Sequence, residues 1–120
     1  MSAKTERPDS WERVVAYALT LPGAAMGTSY GQPAVCAANG RPFLNVGREP
    51  DTSFVLALDH DTVEMLLATD PASFWQTPHY AGWAGILVRF DSSDPARVRA
   101  MIALALEQAA QKPKPRSRKK

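Results

Sequence analysis

AVCAANGRPFLNV, residues 34–46, decides the fold class of this 120-residue chain. Two largely apolar runs, residues 34–37 and 42–46, flank the dipeptide Asn39-Gly40. Both positions of an Asn-Gly pair tolerate positive φ, so the dipeptide predicts a two-residue hairpin turn and the runs predict paired antiparallel strands. Onward from this hairpin, GREPD (residues 47–51) reads as a turn-rich connection and SFVLAL (residues 53–58) as a third strand. The centre of the chain is therefore a three-stranded meander.

Helical signals surround the meander. Trp11, Val14, Val15, Ala18 and Leu19 recur at helical spacing, with Asp9 as expected N-cap, Glu12 three positions on and a stop at Pro22-Gly23. A short helix over residues 61–68 presents Val63, Leu66 and Leu67, is capped near Asp59 or Asp61, and ends at Asp70-Pro71. Residues 74–78 and 85–90 read as two further strands. Ser93-Asp94-Pro95 opens a last helix whose buried stripe is Val98, Met101, Ile102, Ala105 and Leu106; proline costs nothing at a first helical position. The order helix, three strands, helix, two strands, helix predicts an α+β domain, two layers with helices packed on a mainly antiparallel sheet. Residues 9–111 form that single domain, residues 1–8 a loose leader and residues 112–120 a disordered basic tail, because Pro113 and Pro115 forbid helix continuation.

Composition narrows the function classes. Hydrophobic residues make up 45% of the chain and charged residues 22%, the balance of a soluble globular protein. No run approaches the length of a membrane helix, the start is polar, and the lone Cys36 allows no internal disulfide, so the expected location is the cytoplasm. Charge is unevenly placed. Residues 1–111 hold eight Lys or Arg against all twelve acids, leaving the body four charges negative, while KPKPRSRKK (112–120) holds six cations. Attraction to nucleic acid would come mainly from this tail.

Few residues point to chemistry. His60 lies between Asp59 and Asp61, but neighbours at a strand-to-helix junction point apart and helix capping explains the aspartates, so no metal is expected. Cys36 sits mid-strand, where a small buried hydrophobe is the ordinary role; a nucleophile would need His79 beside it. No phosphate-cradling glycine loop and no GxSxG serine is present. The expectation is a non-enzyme without cofactors. Two aromatic turns remain, SYGQP (29–33) and TPHYAGW (77–83). Tyr30, Tyr80 and Trp83 either anchor turns against the sheet or, with His79 as a polar handle, line a shallow recognition pocket.

Leu21-Pro22-Gly23, then Gly27-Thr28-Ser29-Tyr30-Gly31-Gln32-Pro33-Ala34 and Gly40-Arg41-Pro42-Phe43, resemble the opening of the MmcQ/YjbR-like family. Asp70-Pro71, Phe74, Thr77-Pro78-His79-Tyr80 and Gly82-Trp83 resemble its second half in order and spacing. The resemblance covers about residues 9–110, and it implies a fold similar to type III secretion chaperones and a DNA-binding role through a double wing of hairpins. It implies no catalytic residues. Placed on this chain, the wings would offer Arg41 and Arg48 to phosphate, assisted by Lys112, Lys114, Arg116, Arg118, Lys119 and Lys120. The alternative expectation is a protein- or small-ligand-interaction module whose face holds Tyr30, His79, Tyr80 and Trp83.

Overall fold

Gly40 takes φ 88°, and its N–H donates to the Ala37 carbonyl at 2.8 Å while the Ala37 N–H donates to the Arg41 carbonyl at 2.8 Å. In this computed structural model the hairpin therefore closes over three residues, Ala38 to Gly40, rather than the two expected. A turn on Ala38-Asn39 is followed by a left-handed glycine, the usual three-residue solution. The structure describes residues 10–29, 31–47, 52–77, 84–92 and 94–111. The leader (1–8) and the tail (112–120) lie outside them.

The elements run α1 (Trp11–Leu19), β1 (Ala25–Ser29), β2 (Gln32–Cys36), β3 (Pro42–Val46), β4 (Ser53–Leu56), α2 (His60–Thr69), β5 (Phe74–Trp75), β6 (Ile86–Arg89) and α3 (Pro95–Ala110). The described residues form an α+β fold with six antiparallel strands in one sheet, ordered β1-β2-β3-β4-β6-β5. Four strands, not three, precede α2. The strand missed is β1, whose AMGTS holds a single strand-favouring residue, Thr28, beside Ala25 and Gly27, which strands disfavour.

Helix starts follow local chemistry. Ser10, not Asp9, caps α1: its Oγ accepts from the Arg13 N–H at 3.2 Å, so the helix begins one residue later than expected. Asp59 caps α2, accepting from the Thr62 N–H at 2.8 Å. Asp94 caps α3 through the Arg97 N–H at 3.1 Å, with Pro95 in the first turn as the sequence implies. Leu19 is exposed and leaves the α1 stripe, which is Val14 and Ala18 with Trp11 and Val15 packed at its margin.

The core forms where alternate strand residues meet the helices. Phe54, Leu56, Ile86 and Val88 join Val14, Ala18, Val63, Leu66, Val98 and Ile102 in one cluster, while Val55 and Leu87 alternate out of it. Phe54 and Phe90 stack at 5.5 Å between centroids. Phe43 and Leu44 are consecutive yet both fully buried in this cluster. The register explains it: Val35 faces Leu44 and Cys36 faces Pro42, so Phe43 is the extra residue of a bulge that breaks the alternation.

Candidate functional site

The expected phosphate contact that lies among the described residues is Arg41, the first residue after the β2–β3 turn, and it is half-buried. Asn39 organises that turn with both ends of its amide. Its Oδ1 accepts from the Arg41 N–H at 3.0 Å, and its Nδ2 donates to the Ala109 carbonyl at 2.8 Å, 70 residues away. The carbonyls of a helix's last turn have no partner within the helix, and α3 has no basic residue there to meet them. Asn39 supplies the missing donor. The end of α3 is thereby clasped to the hairpin that carries Arg41, and the chain leaves α3 at Gln111, directly before the six-cation segment.

Acidic side chains share this end of the molecule. Asp59 sits at the start of α2, where its N–H donates to Gln108 Oε1 at 2.9 Å and its Oδ2 accepts from Gln108 Nε2 at 3.1 Å. The same Gln108 Nε2 lies 3.4 Å from Thr62 Oγ1. This exchange locks α2 to α3 one residue before Ala109. The corner thus joins three elements by side-chain amides: β2–β3 through Asn39, and α2 through Gln108.

Most other expected site residues fall outside the described residues: Tyr30, Arg48, His79, Tyr80 and Trp83, and Lys112, Lys114, Arg116, Arg118, Lys119 and Lys120 of the tail. Their described flanks still set spacings. Arg41 immediately precedes β3 and Arg48 follows Gly47, so the five residues of β3, about 16 Å of extended backbone, and Gly47 lie between them in the chain. Ser29 and Gly31, which flank Tyr30, belong to the edge strand β1 and its turn. Thr77 and Ala84, which flank His79, Tyr80 and Trp83, adjoin β5 at the opposite edge and β6 beside it. The alternating strand directions put the 77–84 flanks at the same end of the sheet as Arg41, and the Tyr30 flanks at the other end.

At the base of the 77–84 segment, Gln76 Nε2 donates to the Gly85 carbonyl at 2.7 Å. Thr77 Oγ1 is buried with no hydrogen-bond partner among the described residues. On the adjoining strand pair the Arg89 guanidinium lies 4.3 Å over the Trp75 ring, a cation–π contact that sequence reading passed over.

Cys36 is buried beside β1: a Cβ built on Gly27 would stand 2.8 Å from its sulfur. Burial raises its thiol above the ordinary cysteine value, which favours the unreactive protonated form. Among the described residues no group of three or more His, Cys, Asp or Glu is placed to hold a metal ion, and no helix is long and apolar enough to cross a membrane. No family model, no curated protein and no solved structure matches the chain.

Two outcomes follow from this geometry. Asn39→Ala leaves the Ala109 carbonyl and the Arg41 N–H without their partner and should lower stability by about 1–3 kcal/mol in urea unfolding; an unmoved midpoint would contradict the clasp. For Cys36, the folded chain keeps its proton to higher pH than the unfolded chain does, so ionisation favours unfolding. Stability should hold below the free-thiol range of about 8.5 and fall as pH rises past it, and a Cys36→Ala variant should lose that part of the alkaline decline.

Proposed function

We propose that this chain is an MmcQ/YjbR-like, non-enzymatic DNA-binding protein of the cytoplasm, of two-layer, secretion-chaperone-like architecture, which holds duplex DNA by its phosphate backbone. The observation that carries the reading is the 2.8 Å bond from Asn39 to the Ala109 carbonyl. It gathers Arg41 and the origin of the Lys112, Lys114, Arg116, Arg118, Lys119 and Lys120 segment at one corner of an otherwise acidic body. Seven cations from one corner supply the sequence-independent part of DNA affinity, which comes from release of counterions condensed on the phosphates. Arg48, attached beyond the far end of β3, reaches a phosphate further along the duplex. The α+β order of helices around an antiparallel meander supports the family reading, with one strand more before α2 than the resemblance implies.

A second reading keeps the aromatic turns as a protein- or small-ligand-binding face. The buried Thr77 Oγ1, unpartnered among the described residues, lies at the base of the segment that contains His79, Tyr80 and Trp83 and favours it. Tyr30 joins that face least readily, since its flanks lie at the opposite edge of the sheet.

Affinity for a short duplex, measured against salt, separates the two. The full chain should bind with a steep log–log slope, and removal of residues 112–120 should flatten it by up to about 5, at roughly 0.9 per cation lost. Absence of binding at low salt overturns the DNA reading and leaves the interaction module.

A further inference from the structure

The two edges of the sheet are built differently. β5 consists only of Phe74–Trp75, a two-residue edge beside the Arg89 guanidinium. Short strands and nearby charge are the usual ways of blunting a sheet edge against pairing with another chain. β1, the other edge, has five residues in unbroken register with β2, from Ala25 opposite Cys36 to Ser29 opposite Gln32. It contains no proline, no bulge and no charge. The surrounding sequence is equally bare: residues 14–40, between Arg13 and Arg41, contain no Asp, Glu, Lys, Arg or His, although charged residues make up 22% of the chain.

The side chains point the same way. Met26 stands opposite Val35, a fully buried member of the core, yet is itself 50% exposed. The apolar face of the sheet thus runs out to its edge and stops uncovered. Among the described strands only β2 pairs with β1, which leaves the outer row of β1 backbone groups available to a further strand.

We propose that β1 is the homodimer interface: two copies of this chain pair their β1 strands antiparallel about a two-fold axis through Gly27. A strand edge is self-complementary under such an axis, because each backbone donor meets the acceptor of its symmetry mate. Ala25 then faces the partner's Ser29, and Met26 faces the partner's Thr28. The two Met26 side chains become diagonal neighbours on one face, close enough for flexible thioethers to cover each other. Charge leaves this edge open to a second copy. Each body is four charges negative before its tail, so self-association needs an axis where no acids meet, and the charge-free stretch provides one. Pairing consumes β1 on both copies and leaves only the two-residue β5 edges, so growth stops at two chains. This inference is independent of DNA binding.

Sedimentation velocity on the full chain over a concentration series tests it, with two lysine variants. Met26→Lys puts a charge on the β1 edge; Met65→Lys makes the same exchange at the 43% exposed methionine of α2. The wild type and Met65→Lys should pass from one chain mass to two as concentration rises, while Met26→Lys stays at one with the same circular dichroism as the wild type. If Met26→Lys does not fold, Thr28→Lys, on the same exposed edge, takes its place. A wild type that stays monomeric up to about 1 mM, a dimer that the edge lysine leaves intact, or assembly that continues beyond two chains would each overturn the proposal.

Discussion

One asparagine side chain joins the two ends of this fold. The amide of Asn39 accepts from its own turn at Arg41 and donates to the last turn of α3 at Ala109. It adds a side-chain hold to the strand pairing at the tip of the β2–β3 hairpin and gives the Ala109 carbonyl a donor at the end of α3. Gln108, one residue earlier, makes the complementary link to Asp59 at the start of α2. Helix ends and a hairpin tip are normally the parts of a domain that open first. Here they are tied to one another, which makes that corner a stable place from which to project charge.

The core beneath it follows from strand alternation with one deliberate break. β4 and β6 send Phe54, Leu56, Ile86 and Val88 toward the helices, and the extra residue at Phe43 turns two consecutive side chains into the same cluster. At the far edge a different constraint operates. Gly27 has no Cβ because the Cys36 sulfur occupies the space one would need, 2.8 Å away. A larger side chain at position 27 would have to displace that sulfur, so this position of the edge strand is held to glycine.

These cases show why some of the fold was legible in the sequence and some was not. Helix starts were readable to within a residue, because a cap is a local bond: Asp94 with Pro95 announces α3 as clearly in sequence as in space. The hairpin was readable from Asn39-Gly40, but its loop length was not, since the choice between two and three residues is settled by which carbonyl the Gly40 N–H reaches. β1 was hard to read because only Thr28 of its five residues favours a strand, while the constraint on Gly27 comes from the Cys36 sulfur across the sheet. The candidate site divides in the same way. Arg41 and the tail cations could be named from charge alone, whereas the bond that brings them together spans 70 residues and leaves no local trace. The Arg89–Trp75 contact was hidden for the same reason, being made across strands.

In the proposed DNA-binding reading, the hairpin, the end of α3 and the residues that follow it in the chain act together toward DNA. Mapping backbone amide shifts of the full chain on addition of a short duplex tests it most directly. Perturbations are expected at residues 37–41 and 108–111 and along the tail, with smaller ones at the start of α2 where Gln108 binds it, while the β1 amides stay in place. Shifts concentrated on β1 or α2, with Arg41 and Ala109 unmoved, would contradict it.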